Sequence, residues 1–248
     1  WKLGLSTIST ASRLESDAAD TFFVMGYALG VDLDEWVRTN GPLSVRDACR
    51  AAGQAAIVLD EVHSANVLHL GVKPSNLFRS HEGSIIVMDC GMAPLIQDEL
   101  AQADFTRNAL VKSSVDFMSP EQARDAKQAD HRSDIYSLGC TLAFLLSGRR
   151  LFETDSVMQA LVAHRESSVP DVSRLAGGAP QALNAVLARL LAKQPADRYQ
   201  SMAEVVVGLQ PFFGDKPAEG DIIAMPEAHP ESGHGMKSWL SSIIKRCK

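Results

Sequence analysis

The segment from Asp134 to Gly148, DIYSLGCTLAFLLSG, constrains the fold more than any other part of the sequence. Its residues are apolar nearly all the way round a helix, whereas a surface helix carries its apolar residues in one stripe. The segment also closes on a glycine, which readily adopts the left-handed conformation that follows a last helical turn. The pattern therefore predicts a buried central helix.

The composition of the chain suits such a core. The chain has 248 residues, 46% of them apolar, which fits one large domain or two small ones. A net charge of -6 provides no basic surface that could hold nucleic acid by counterion release, so nucleic acid is not an expected partner. The four cysteines include no CxxC pair, which argues against a zinc site or a disulfide framework and favours a cytosolic setting.

Shorter patterns predict two strands and several further helices. The apolar runs TFFVM at 21–25 and IIVM at 85–88 are typical of short buried strands. Ser44 stands in an N-cap position before a long amphipathic helix, whose apolar residues recur at alternating steps of three and four. Other helices are predicted from helical spacing at 26–37, 154–165 and 180–192, and from a Ser201–Glu204 capping box at 201–209.

The C-terminal part of the chain differs in composition from the rest. From Pro211 onward the sequence is rich in Pro, Gly, Glu and His without periodicity, which predicts a disordered linker over 211–235. The final segment, 236–248, is basic and amphipathic. A membrane-surface helix, the approach to a transmembrane span and a frayed charged tail all explain this composition. No apolar run reaches the roughly 18 residues of a transmembrane helix.

Three motifs occur in the order and spacing of the protein-kinase signatures. They are HLGVKPSNLF at 69–78, DCG at 89–91 and SPE at 119–121, which match the catalytic loop, the magnesium loop and the end of the activation segment. The chain thus resembles the bacterial eukaryotic-type serine/threonine protein kinases over roughly residues 20–209. The resemblance implies an α+β fold, with a mainly α-helical large lobe at 29–210 after a remnant of the small lobe and hinge at 1–28.

The resemblance implies that part of a Mg²⁺ and ATP site is retained. Asp89 matches the magnesium-binding aspartate of the family, Asn76 its second metal ligand, and Lys73 the lysine that steadies the transferred phosphate. Oxygen donors of this kind suit Mg²⁺. For Asp89 alone, a turn at a strand end is a sufficient explanation. Together with Asn76 and Lys73, a working or degenerate metal site is the favoured interpretation.

The catalytic loop departs from the family pattern at the position of the general base. The family's His-Arg-Asp is His69-Leu70-Gly71 in this chain, so the carboxylate that accepts the proton of the substrate hydroxyl is absent. General bases contribute about 10²–10⁴-fold in rate, so efficient transfer is not expected. Leu70 replaces the arginine that pairs with a phosphorylated activation loop in the family. The resemblance therefore implies a pseudokinase, in which His69 is a buried structural residue.

The adenine side of the nucleotide site is also assigned by resemblance. Met25 stands at the gate behind the adenine, and Phe78 supplies the floor of the site. Gly26 and Ala28 offer hinge backbone groups. A strand-to-helix linker that needs only backbone flexibility explains Gly26 and Ala28 equally well.

Five further positions take their roles from the resemblance. Glu121 and Arg198 match a buried ion pair that anchors the end of the activation segment, and Asp134 matches the aspartate that braces the catalytic loop. Ser114 falls at a substrate-contacting position of the activation segment. Thr106 lies in the same segment as a candidate phosphosite, although an ordinary surface threonine is the simpler interpretation.

The features of a kinase small lobe are not found in this sequence. It has no GxGxxG loop, no lysine in a VAIK-like context and no partner glutamate, and about twenty residues precede the strand predicted at 21–25. Because the chain begins with Trp1 and not with methionine, we expect it to be a fragment of a longer reading frame. If the chain is such a fragment, the roof of the nucleotide site lies upstream of Trp1; if the chain is complete, the roof is absent.

Three functions are compatible with these observations. The first is a pseudokinase lobe that binds a protein partner, with Mg²⁺ and ATP if nucleotide binding is retained. The second is a fragment of an active serine/threonine kinase with a protein substrate, favoured by the retained Lys73, Asn76 and Asp89. The third is a structural interaction domain with no nucleotide role. The expected location is cytoplasmic, with membrane association through the tail at 236–248.

Overall fold

Helices predominate in the computed structural model of the chain, which describes residues 11–16, 21–25, 30–81, 83–90, 114–171 and 179–213. The strands are β1 (Ala11–Ser16), β2 (Thr21–Met25), β3 (Gly30–Asp32), β4 (Leu77–Ser80) and β5 (Ile85–Val87). The helices are α1 (Leu33–Asn40), α2 (Val45–Ser64), α3 (Pro120–Arg124), α4 (His131–Ser147), α5 (Val157–Glu166), α6 (Gln181–Leu190) and α7 (Met202–Phe213). The predicted α+β class, mainly helical with short strands, is confirmed.

Helix α4 is the central helix that the sequence predicted. All residues over 133–146 are buried, and Gly148 ends the helix with a left-handed φ of 69°. The helix begins earlier than predicted because the Asp130 side chain caps it by accepting a hydrogen bond from Arg132 N. Gly139 permits a close approach of α6, since a Cβ at this position would lie 2.9 Å from Leu190 Cβ.

Helices α2 and α7 pack along one another on one side of this core. The predicted Ser44 cap is confirmed, because Ser44 Oγ accepts a hydrogen bond from Asp47 N at 3.1 Å. The buried face of α2 is rich in alanine, which lets α7 come close. The ring of Phe213 lies against Gly53, where an added Cβ would approach Phe213 Cε1 to 3.0 Å.

The last helix continues beyond its predicted end at Leu209 and contains Pro211. A proline removes one backbone donor, but the effect is limited this close to the helix terminus, where Phe213 packs on α2. At the start of α7, Ser201 Oγ accepts from Glu204 N at 3.1 Å, as a capping box requires. The Glu204 carboxylate accepts instead from Gln200 N at 3.2 Å, one residue before the predicted partner.

The five strands form two small antiparallel sheets. Strands β3, β4 and β5 pair in that order, with Phe78 opposite Asp32 on one side and Ile86 on the other. Strand β2 confirms the prediction at 21–25 and pairs with β1, which has no counterpart among the predicted elements because ASRLES lacks an apolar run. The helical spacing at 26–37 predicted a helix where the structure has β3 at Gly30–Asp32. Helix α1 begins only at Leu33, after Asp32 caps it.

Residues 211–213 of the predicted linker at 211–235 belong to α7 and are not disordered. Residues 214–248 lie outside the described residues, so the rest of the linker and the tail at 236–248 stay predictions. Among the helices that the structure describes, none combines the length and the hydrophobicity needed to cross a bilayer.

Candidate functional site

Asp134 holds the start of the predicted catalytic loop from the first turn of α4. This carboxylate is fully buried. Its Oδ2 accepts from His69 N at 2.9 Å and from His63 Nε2 at 2.8 Å, and its Oδ1 accepts from Leu70 N at 2.6 Å. A buried charge needs such partners. Leu70 is thereby held in a left-handed conformation, with φ 53°.

The backbone around Gly71 is fixed by three side chains. Leu70 O accepts from Gln122 Nε2 at 3.1 Å, Gly71 N donates to His69 Nδ1 at 3.2 Å, and Gly71 O accepts from Asn76 Nδ2 at 2.9 Å. Gly71 itself is not among the positive-φ residues. A Cβ at this position would meet His69 Nδ1 at 3.6 Å and Asn76 Nδ2 at 3.7 Å, which are ordinary contacts. The loop therefore has no conformational need for glycine at position 71.

His69 is fully buried and links the catalytic loop to the residue before Asp89. Its Nε2 donates to Met88 O at 2.9 Å. Burial lowers the pKa of His69, but the Cys90 thiol and the Asp134 carboxylate outweigh burial and raise the pKa to about 9. That shift favours a charged ring, whereas the hydrogen bond from Gly71 N requires an Nδ1 without a proton. We adopt the neutral ring, because both nitrogens then have complementary partners.

Lys73 and Ser114 bring the catalytic loop and the activation segment together. Lys73 Nζ donates to Ser114 Oγ at 3.1 Å. Burial lowers the pKa of Lys73, and the Arg150 charge adds to this effect, while the Asp89 and Asp34 carboxylates oppose it. The ammonium group thus lies within electrostatic reach of the predicted metal-binding aspartate.

The two predicted metal ligands are adjacent through the backbone. Asn76 is buried, and its backbone O accepts a hydrogen bond from Met88 N at 2.9 Å. The residue after Met88 is Asp89, which has a left-handed φ of 59°. In the part of the chain described here, no three His, Cys, Asp or Glu side chains are grouped in a way that could hold a metal ion by themselves. Mg²⁺ is usually bound by one or two carboxylates plus nucleotide phosphates and water. One carboxylate and one amide therefore fit Mg²⁺ that is carried by a nucleotide.

Glu121 and Arg198 form a buried, bidentate ion pair. Arg198 Nη1 and Nη2 donate to the two Glu121 oxygens at 2.7 and 2.8 Å, and Ser133 Oγ donates to Glu121 Oε1 at 2.6 Å. Burial raises the pKa of Glu121, but the hydrogen bonds and charge of Arg198 bring it below its ordinary value. The pair joins α3 to the turn before α7.

The predicted adenine contacts are only partly described. Phe78 is half-buried on β4, and its ring lies against Gly30, where a Cβ would come within 2.9 Å of Phe78 Cε1. Met25 ends β2, of which the structure describes the backbone. Gly26, Ala28 and Thr106 lie outside the described residues, so their roles stay predictions.

Arg150 is a part of the site that the sequence did not predict. Its guanidinium lies over the rings of Phe117 and Phe144, at 4.8 and 4.7 Å from their centroids. It also pairs with Asp34 Oδ1 at 3.0 Å and Asp116 Oδ2 at 3.7 Å. This arginine therefore ties α1 to the segment that follows Ser114.

His164 supports the same segment from α5. Its Nε2 donates to Asp116 O at 3.1 Å, and its Nδ1 accepts from Tyr136 Oη at 3.1 Å. Lys193 Nζ donates to His164 O at 2.8 Å. Burial and the Lys193 charge lower the pKa of His164 to about 4, although the hydrogen bond to Asp116 raises it. The hydrogen-bond pattern and the pKa both indicate a neutral ring.

We expect the protein to lose stability as the pH falls from about 6.5 to about 4. In this range the unfolded chain binds a proton at His164 that the folded chain does not, so stability decreases with decreasing pH. The full shift corresponds to about 3 kcal/mol. Urea unfolding across this pH range measures it. His164→Gln, which retains a donor for Asp116 O and does not titrate, should have a shallower pH dependence. Equal slopes for the two proteins would contradict the expectation.

Comparisons with known proteins agree with this geometry. Residues 2–209 match a sequence model of the protein kinase domain, a match that includes β1. Serine/threonine-protein kinase PknB of Mycolicibacterium smegmatis is 38% identical over 74% of this chain and 29% of its own length. PknB of Mycobacterium tuberculosis is 36% identical over 80% of this chain and 31% of its own length. PrkC of Bacillus subtilis is 31% identical over 77% of this chain and 29% of its own length. The chain spans less than a third of these relatives.

Proposed function

Because the chain belongs to the protein kinase family, and within it resembles the bacterial serine/threonine kinases, we propose that it is a kinase domain impaired in catalysis. It acts, in this proposal, by binding a protein partner and Mg²⁺ with ATP. The observation that carries the proposal is Gly71, which stands where the family has its general base, in a loop otherwise held by specific hydrogen bonds.

The remaining polar groups support binding more strongly than they support chemistry. Phosphoryl transfer depends on holding the nucleotide, the metal ions and the acceptor hydroxyl in line while charge is neutralised. Asn76 and Asp89 supply oxygen donors for Mg²⁺, which would neutralise phosphate charge when bound. Lys73 supplies a cation on the acceptor side, next to Ser114. At position 71 itself, no side chain is present to accept the proton of an acceptor hydroxyl.

An active kinase that uses an altered route is the second candidate. The retained Lys73, Asn76 and Asp89 favour it, because they match the family's phosphate-steadying lysine and metal ligands. The contact of Lys73 with Ser114 and the backbone hydrogen bond from Met88 N to Asn76 O are consistent with such a site. Phosphotransfer from labelled ATP that disappears in an Asp89→Ala variant would support this candidate over the first. A structural domain without nucleotide is the third, and a binding experiment separates it from both.

Mg²⁺ with ATP is expected to stabilise the chain against heat. A ligand that binds only the native state adds RT ln(1 + [L]/Kd), which is about 1.4 kcal/mol at a tenfold excess over Kd. For a chain of this size that corresponds to a rise in Tm of roughly 3–6 °C. Asp89→Ala should reduce the Mg²⁺-dependent part of the rise, whereas Asp155→Ala, on an exposed turn, should not. No rise at millimolar nucleotide would favour the structural domain.

A further inference from the structure

The end of the activation segment contacts the catalytic loop through one buried amide. We propose that Gln122 is a positioning residue, which orients the peptide group between Leu70 and Gly71 without any need for phosphorylation. The inference rests on the proposed function in taking 69–76 as the loop of a kinase site. The coupling between the two segments is structural and can be tested by itself.

The backbone N–H of Gln122 and both polar groups of its side chain have partners. Its backbone N donates to Ser119 Oγ at 3.3 Å, and its Oε1 accepts from Ser119 N at 3.2 Å, which completes the capping box of α3. Its Nε2 donates to Leu70 O at 3.1 Å, across 52 residues of sequence. The side chain is 8% exposed, so water does not readily replace these partners.

The identity of residue 122 matters for this contact. Glutamine and glutamate both complete a capping box, because either side chain can accept from the cap backbone N. Only the amide of glutamine also carries a donor at neutral pH. The hydrogen bond to Leu70 O therefore uses the one property that distinguishes Gln122 from a glutamate.

The peptide group between Leu70 and Gly71 is held at both of its polar atoms. Its carbonyl accepts from Gln122 Nε2, and its N–H donates to His69 Nδ1. The preceding N–H, that of Leu70, donates to Asp134 Oδ1. A left-handed conformation is unfavourable for a residue that carries a side chain, so Leu70 stays in it only under such restraint.

The consequence is a link between the two segments that contains no phosphate. Leu70 cannot pair with a phosphorylated side chain, whereas its carbonyl is held by a neutral amide. The second contact, from Lys73 to Ser114, likewise uses unmodified side chains. The direction of the chain at Gly71 is thus set by α3 and α4, two elements of the folded core.

The test compares Gln122→Glu with Ser119→Ala in the full chain by ¹H–¹⁵N NMR. In Gln122→Glu at neutral pH, the amide signals of Leu70 and Gly71 should shift while that of Ser119 is retained, because the cap survives and the donor is lost. Acidification should return the Gly71 signal toward its original position, since a protonated glutamate donates again. Ser119→Ala removes the hydroxyl that caps α3 but retains both side-chain contacts of Gln122, so it should shift the Gln122 amide signal and leave that of Gly71 nearly unchanged.

Two outcomes would overturn the proposal: an unchanged Gly71 signal in Gln122→Glu, or a shift that acidification does not reverse. Where Gln122→Glu does not fold, the wild-type chain decides. One Nε2 proton of Gln122 should then exchange with solvent more slowly than the other, and equally fast exchange of both overturns the proposal.

Activity adds a second readout that a purely structural role would not move. In a Gly71→Asp background, Gln122→Glu should lower kcat by about 10–10²-fold with little change in KM for ATP, because it misplaces the loop and not the nucleotide. Equal kcat values with and without Gln122→Glu overturn the proposal. A Gly71→Asp chain without activity argues against the proposed function, and the NMR result still decides the role of Gln122.

Discussion

Replacing Gly71 by aspartate is expected to raise the rate of ATP-dependent phosphotransfer by about 10²–10⁴-fold, the usual contribution of a positioned general base. The backbone at Gly71 is compatible with a side chain, and the nearest atoms to an added Cβ lie at 3.6 Å or beyond. The surrounding hydrogen bonds come from Gln122, His69 and Asn76, so they are retained in the variant. Transfer of labelled γ-phosphate to a protein acceptor measures the effect.

Two controls make this experiment specific. Gly71→Asn has nearly the same size as Gly71→Asp but no carboxylate, and should stay at the wild-type rate. Adding Asp89→Ala to Gly71→Asp should remove the gained activity, because the metal ligand is lost. A wild-type chain as fast as Gly71→Asp would show that Gly71 does not limit transfer, and would favour the active-kinase candidate. An inactive Gly71→Asp chain that still binds Mg²⁺ with ATP would place the impairment elsewhere.

Replacing Arg198 by methionine is expected to lower the free energy of unfolding by about 3–5 kcal/mol, the usual cost of removing one partner of a buried ion pair. The Glu121 carboxylate, 7% exposed, would keep only Ser133 as a side-chain donor. The guanidinium also donates to the carbonyls of Ala192, Lys193 and Arg132, which would lose a partner. Urea unfolding of the full chain measures the change.

A surface ion pair provides the matched control. Arg132→Met removes the partner of Asp130 at a position where both side chains remain partly exposed, and should cost no more than about 1 kcal/mol. Glu121→Met combined with Arg198→Met should recover much of the loss, because no buried charge is left without a partner. If Arg198→Met costs no more than Arg132→Met, the ion pair does not stabilise the fold as described.

The sequence predicted the elements whose signal is local. Helix α4 was recognisable because it is apolar on all sides, and α2 because its apolar residues follow the helical period. Strands β3 and β4 have three and four residues, which is too few for a local period to mark them. The only strand that pairs with β3 among the described residues is distant in sequence. Helix α7 continues to Phe213, whose ring packs against α2. The change in composition at Pro211 gives no information about this packing, so it predicted the end of the helix too early.

The predicted site shows the same division between local and distant information. The motifs located Lys73, Asn76 and Asp89. In the structure, a backbone hydrogen bond from Met88 N to Asn76 O joins the segment of Lys73 and Asn76 to that of Asp89. The chemical roles of the three residues stay predictions. No local sequence pattern marks Gln122, Arg150 or His164. Their hydrogen-bond partners lie 52, 116 and 48 residues away in the sequence. A lone polar residue becomes informative only when the fold shows what it contacts.

The ordinary backbone at position 71 also bears on how the proposed impairment would be reversed in evolution. The glycine codons GGU and GGC differ from the aspartate codons GAU and GAC at a single base, whereas GGA and GGG differ from them at two. The loop needs no compensating substitution to accept a side chain at this position. A glycine held at positive φ would instead oppose such a reversion, because an aspartate there would be strained. In genetic terms, one or two base changes in the codon for residue 71 are enough to place an aspartate in a loop that already accepts it.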